Sequence, residues 1–211
     1  MKAKELEMPT EVLVELIKTI PTLLWIIFSL IVLRIFYKPI RKELIPRLSG
    51  FKAFGVEATF IKDQLAQATK EEITEEVLDQ VARRAQRLRE IVTGAQLLIV
   101  NDVPDEMVHV RNILASLGVS VSIARTTKQA ISMMKKTRFD VVISDMSRNG
   151  VNDEGLRFLD ETLRLQLHRP TIFTVGRFDP SKGVPAYAFG ITNRVDELLN
   201  LIFDVLERER G

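Results

Sequence analysis

Five short apolar runs punctuate the second half of the chain: QLLIVN (96–101), VSVSIA (119–124), FDVVIS (139–144), PTIFTV (170–175) and YAFGI (187–191). Each is continuous rather than alternating, the pattern of a strand covered on both faces. Between the first four lie MVHVRNILASLG, TKQAISMMKKTR and DEGLRFLDETLRLQ, and RVDELLNLIFDVLERE closes the chain. All four place apolar residues at a period near 3.6, as an amphipathic helix does. Strand–helix alternation of this kind predicts an α/β domain over 95–211: a five-stranded parallel (βα)5 sheet with helices on both faces. Ligands of such sheets bind outside the carboxyl ends of the strands, so chemistry is expected there.

The first half reads differently. Thr19 to Leu33 carries no charge, and Ile35, Phe36 and Tyr37 continue the run past Arg34. Lys18 and Arg34 extend it by snorkelling, and a helix from Lys18 to Tyr37 would be about 30 Å long at ~1.5 Å per residue, enough to span a bilayer core. A transmembrane helix is therefore expected over 19–37, after a short amphipathic segment over 1–18. Arg34, Lys38, Arg41, Lys42, Arg47 and Lys52 follow the run, while the lysines before it are offset by Glu5, Glu7, Glu11 and Glu15. The positive-inside rule then predicts a single-pass inner-membrane protein with its carboxyl-terminal domain in the cytoplasm.

Residues 38–94 read as a basic juxtamembrane segment and a helical connector. Gly50 and Gly55 in LSGFKAFGVEATF predict a break with a short extended piece. Thr69-Lys70-Glu71-Glu72 has the spacing of a capping box and predicts the start of a helix. Leu78, Val81, Ala85, Leu88 and Val92 follow at spacings of 3, 4, 3 and 4, a short heptad seam that could pair two copies as a coiled coil and make a homo-oligomer. Arg83, Arg84, Arg87 and Arg89 are balanced by acidic residues one or two turns earlier, so this helix reads as salt-bridged and solvated.

Composition removes several chemistries. Zero Cys excludes a disulfide scaffold, a zinc finger and a cysteine nucleophile, and two His make a multi-histidine metal site improbable. With 30 basic against 28 acidic residues, the net +2 gives no sign of a nucleic-acid partner. No phosphate-loop, dinucleotide, serine-hydrolase or metalloprotease motif is present, and an enzyme is not expected. The strand ends supply the one positive signal. Asn101 and Asp102 follow the first strand, Asp145 ends the third and Thr174 the fourth. Two aspartates at neighbouring strand ends form an acidic crevice of the kind that suits Mg²⁺.

The stretch LLIVNDVPDEMVHVRNILASLGVSVSIARTTKQAISMMKKTRFDVVISDM resembles the first half of a response-regulator receiver domain. The resemblance implies a flavodoxin-like fold, Mg²⁺ at the acidic pair and phosphoryl transfer from a histidine kinase. It places Asp145 as phosphoacceptor, Thr174 as the switch hydroxyl, and Asp102, Asp145 and the Ser147 carbonyl as metal ligands. Three positions depart from the pattern. Asn101 replaces one acid of the pair, Asn193 and Arg194 stand where a lysine and a proline are usual, and SRNGVNDEG after Asp145 is longer than usual. Pro180, Gly183, Pro185 and Gly190 also leave no room for a normal fourth helix, so a loop is expected there. The expected function is a membrane-anchored, degenerate receiver, a pseudo-receiver acting through protein contacts, with Mg²⁺ held weakly at most. The alternative is a membrane-anchored nucleotide sensor or effector that oligomerises on binding a ligand at the 177–186 loop.

Overall fold

The computed structural model describes residue 21, residues 24–30, residue 34 and residues 45–211, except for 70–72, 178, 180 and 182. Two compact units divide the chain, Met1–Ala53 and Phe54–Gly211. Of the first unit, residues 24–30 are helical, and Leu24, Trp25, Ile26, Ile27, Phe28 and Leu30 are all exposed. The rings of Trp25 and Phe28 meet edge to face with centroids 5.6 Å apart. No helix among the described residues is long and apolar enough to cross a membrane. The expected span over 19–37 and the segment over 1–18 lie largely outside those residues.

The second unit holds β1 (Gln96–Val100), β2 (Ser120–Ala124), β3 (Val141–Asp145), β4 (Thr171–Thr174) and β5 (Gly190–Thr192). They form one five-stranded sheet in the order β2-β1-β3-β4-β5, and every neighbouring pair is parallel. Each expected run holds a strand. The connector supplies α1 (Ile45–Ala68), α2 (Glu75–Arg87) and the single turn α3 (Arg89–Val92). Between the strands lie a 3-10 turn (Pro104–Met107), α4 (Val108–Ser116), α5 (Thr127–Met134) and α6 (Glu154–Arg164), and α7 (Val195–Arg210) ends the chain. Among the described residues between β4 and β5 there is no α-helix, as the clustered Pro and Gly predict.

The continuous apolar strands follow from two cores. Leu97, Ile99, Val141 and Ile143 join the core beneath α4 and α7, whereas Leu98, Val100 and Val142 join the one beneath α5 and α6. Successive residues of a strand face opposite sides, so a sheet covered twice needs apolar residues at every position.

Two connector expectations are corrected. The chain does not break at Gly50 and Gly55: α1 runs unbroken from Ile45 to Ala68. A glycine costs a helix only about 1 kcal/mol. The burial of Ile61 and Leu65 on the same helix outweighs that cost. Nor does the Thr69 capping box open the next helix. Thr69 follows α1, with its hydroxyl donating to the Leu65 carbonyl at 2.8 Å, and α2 begins at Glu75 behind Thr74.

The heptad seam also has an owner. Leu78, Val81, Ala85, Leu88 and Val92 are buried in the same core as Leu199, Ile202, Phe203 and Leu206 of α7. Arg84 reinforces the contact: its guanidinium donates to Asn200 Oδ1 at 3.0 Å, Asp204 at 2.5 Å and Glu207 at 2.6 Å, and lies 5.8 Å from the Phe203 ring centre. A seam already covered by its own chain is not offered to a second copy as a coiled coil. The connector from Phe54 onward therefore belongs to the same compact unit as the sheet.

Candidate functional site

In the order 2-1-3-4-5, connections leave β1 and β3 towards opposite faces, which opens a crevice at their carboxyl ends. Of the residues expected to carry chemistry, Asp145 and Thr174 line it together with Asn101, whereas Asp102 and Ser147 do not. Asp145 ends β3 and is the register partner of Thr174 at the end of β4. Asn101, Glu106, Asp145, Thr174, Asn193 and Arg194 all line one cleft of about 360 Å³.

Each side chain there has a distinct environment. Asn101 is buried, and its Oδ1 accepts the Val103 N–H at 2.7 Å, which fixes the turn after β1. Asp102 is half-buried, and its Oδ2 accepts the Asn149 N–H at 2.8 Å, tying the β1 end to the loop after β3. Burial pushes the Asp145 carboxyl above the ordinary carboxylate range. The Ser147 N–H and the Arg148 charge pull it down, while Asp102 and Glu106 push it up. Ser147 is exposed, with its hydroxyl donating to the Asn152 carbonyl at 3.2 Å.

The loop after β3 is longer because it contains a hairpin. Arg148 and Val151 exchange both backbone hydrogen bonds, at 3.1 and 2.9 Å, as an isolated antiparallel bridge. Asn149 (φ 51) and Gly150 (φ 76) form its turn, both left-handed, as an Asn-Gly pair in a primed turn must be. The loop then closes against β3 at Gly155, where a Cβ would meet Met146 Cα at 2.9 Å and the Asp145 carbonyl oxygen at 3.0 Å. Only glycine lets α6 approach β3 so closely.

Beside β5, Thr192 accepts the Arg194 N–H at 3.0 Å and donates to Glu197 at 2.6 Å. The Arg194 guanidinium bonds both oxygens of Asp196, at 3.2 and 2.8 Å. Arg194 thus lines the cleft while its charge is committed to Asp196. In the 177–186 loop, Asp179 accepts from the N–H and hydroxyl of Ser181 at 3.1 and 2.7 Å. The described residues Arg177, Asp179 and Ser181 are exposed and do not line the cleft, whereas Val175 and Gly176 just before them do. Lys182 lies outside the described residues.

Two features of the site are not legible in the residues singled out from sequence. Ala68, Thr69 and Ile73 of the connector form part of the cleft wall, together with Asp145 and Thr174. Arg148 is buried behind the loop, 1% exposed, with its side chain on the α5 and α6 side. The departure in loop length after Asp145 was the only sequence signal pointing towards either.

The donor set fits a divalent cation in charge, though not as a closed cage. Asp102, Glu106 and Asp145 lie close enough for the first two to perturb the third, and a cation would relieve that repulsion. No group of three or more His, Cys, Asp or Glu side chains that could hold a metal ion forms among the described residues.

Comparison with known proteins bears on the sheet. Residues 97–196 match the family model of the response regulator receiver domain. Among solved structures, the chemotaxis response regulator CheY4 of Vibrio cholerae is 25% identical, with 54% of this chain and 99% of that one covered at a TM-score of 0.47. A two-component response regulator from Clostridium difficile is 12% identical, with 56% and 99% covered at 0.48. The response regulator TrrA from Thermotoga maritima, solved in complex with Mg²⁺-BeF, is 18% identical, with 53% and 98% covered at 0.45. The search of curated proteins returned no match. Over residues 97–196, the chain carries a domain that matches the response regulator receiver family.

Proposed function

We propose that the protein is a membrane-anchored pseudo-receiver, a signalling module that works through protein contacts rather than through efficient phosphoryl transfer. The observation that carries this reading is the charge of the cleft. Its described lining holds Glu106, Asp145 and Asp196, and the cation it contains, Arg194, is bonded to Asp196. A transferred phosphoryl group would add further negative charge beside Asp145, and Asn193 cannot supply the ammonium that the family pattern places there. A charge-assisted bond of that kind contributes roughly 1.5–3 kcal/mol. Asn101 likewise subtracts a carboxylate from the cation-binding pair. A divalent cation would be held by Asp102, Asp145 and the Ser147 carbonyl, and would supply neutralising charge to the crevice. The residues present make that hold weak.

The connector wall supports output by contact. Because Ala68, Thr69 and Ile73 border the same cleft as Asp145 and Thr174, a partner or cation that rearranges the crevice acts on the connector directly. The anchor reading rests on the uncharged stretch Thr19–Leu33 and on the exposure of Leu24, Trp25, Ile26, Ile27, Phe28 and Leu30 along a helical stretch. Exposed apolar side chains of this size call for a cover, and a bilayer supplies one.

Two measurements test the reading. Resistance of the full chain to alkaline extraction from inner membranes supports the anchor, and release into the soluble fraction removes it. Mass spectrometry after treatment with acetyl phosphate and Mg²⁺ should find little or no acyl phosphate on Asp145. Rapid, near-stoichiometric labelling would make the protein a working phosphoacceptor instead.

A further inference from the structure

Arginine is rarely buried without extensive hydrogen bonding, because removing a guanidinium from water is expensive. Arg148 is 1% exposed and lies among the largest fully buried side chains of the chain. One terminal nitrogen donates to Ser144 Oγ at 2.6 Å and to the Asp145 carbonyl oxygen. The other donates to Thr127 Oγ1 and to the Glu154 carbonyl, both at 3.2 Å. Thr127 in turn donates to Glu154 Oε1 at 2.6 Å, and the guanidinium lies 5.8 Å from the Phe158 ring centre. Its Nε has no hydrogen-bond partner among the described residues. One side chain therefore ties together the end of β3, the start of α5 and the start of α6.

That knot sits directly behind the acceptor. The Asp145 carbonyl is one of its anchor points, and Arg148 itself is the first residue of the hairpin whose Asn149 N–H holds Asp102. We propose that Arg148 is the positioning residue of the acidic crevice: a buried guanidinium that pins the 146–153 loop to α5 and α6 and so fixes where Asp145 and Asp102 present their carboxylates. A plain apolar side chain would fill the same space without the desolvation cost, and such replacements are often neutral or stabilising. What it could not do is hold a carbonyl, a hydroxyl and two helices in one geometry. The inference depends on the crevice being the working site, and it stands whether or not Asp145 is phosphorylated.

The test compares Arg148→Met, Arg148→Lys and the wild type as full chains, with two readouts. The first is amide hydrogen exchange at Asn149, Val151 and Gly155, whose N–H groups are bonded to Asp102, Arg148 and Met146. R148M should exchange at least about tenfold faster there, with the amides of α7 unchanged. The second is Mg²⁺ affinity from a titration with the metal alone. Loss of a partner that orients a ligand typically weakens metal binding by about 10–100-fold, and R148K should fall between the two. Thr127→Val removes one anchor and should loosen the loop by a smaller factor, which keeps the test open if R148M does not fold. Wild-type exchange and wild-type Mg²⁺ affinity in the folded variants would overturn the proposal. If the wild type binds no Mg²⁺ at all, the cation site fails, and the exchange readout alone decides the role of Arg148.

Discussion

Leu65 offers a direct test of whether the connector and the sheet are one folding unit. It lies on α1, is fully buried, and shares a core with the α2 seam, β1, β3 and α7. Leu65→Ala removes three methylene-sized groups from a site with no exposure, and such truncations cost about 2–5 kcal/mol, with the residual cavity setting where in that range the value falls. Leu65 is fully buried in that core, so a mid-range value of about 3 kcal/mol is expected. At an m-value of about 2 kcal/mol/M, the urea midpoint should drop by roughly 1.5 M. Circular dichroism should follow a single transition, and the amides of β1 should lose protection by the same free energy. The midpoint should also be independent of protein concentration, since the seam is covered within the chain. If β1 protection is unchanged in L65A, or if the midpoint rises with concentration, the connector is a separate or intermolecular element and the packing argument fails.

Three further substitutions probe the site and its support. Gly155→Ala places a Cβ against backbone atoms of Met146 and Asp145 at 2.9–3.0 Å, so it should destabilise by about 1–3 kcal/mol in thermal melts; an unchanged melting temperature would show that α6 can retreat freely. Gly55→Ala puts a Cβ into open space within α1 and should stabilise by about 0.5–1 kcal/mol in urea unfolding, unless the helix is not continuous there. Asp145→Asn should be more stable than the wild type at neutral pH. Burial first, then Asp102 and Glu106, raise this carboxyl in the fold, so on raising pH the unfolded chain loses the proton first and the wild type loses stability across that window. The gain, below about 1 kcal/mol for a half-exposed group, should vanish below the ordinary carboxylate value of about 4, and a gain that persists unchanged in acid would contradict this origin.

Much of the sheet was legible because its chemistry is local. A strand covered on both faces has to be apolar throughout, and the runs around Leu97–Val100 and Val141–Ile143 announce that directly. The neighbouring positions of Asp145 and Thr174 were legible for a related reason: a parallel sheet gathers strand carboxyl ends on one side, so polar residues there are brought together by topology. The connector was harder. Whether a helix continues through Gly50 and Gly55 depends on what Ile61 and Leu65 bury against, and those partners lie in strands and helices far along the chain. The seam from Leu78 to Val92 fits a coiled coil and an intramolecular packing face equally well, because heptad spacing specifies a stripe and not its occupant. Arg148 was invisible, since an arginine in a polar loop reads as solvated until Ser144, Thr127 and Glu154 are seen around it. Thr69 was marked only as a capping residue, and nothing in the sequence sets it or Ala68 against the crevice.

We propose that Asp145 is a slow phosphoacceptor at best, because Arg194, the cation among the described lining residues, is bonded to Asp196 and Asn193 supplies no ammonium. Asn193 lines the cleft, so Asn193→Lys places an ammonium where the receiver pattern has it. A restored charge-assisted contact of about 1.5–3 kcal/mol corresponds to roughly ten- to a hundredfold in rate. Labelling of Asp145 by acetyl phosphate and Mg²⁺ should therefore be at least about tenfold faster in N193K than in the wild type, with Asp145→Asn as the blank. Equal and rapid labelling of wild type and N193K would contradict the account and establish the protein as an active phosphoacceptor.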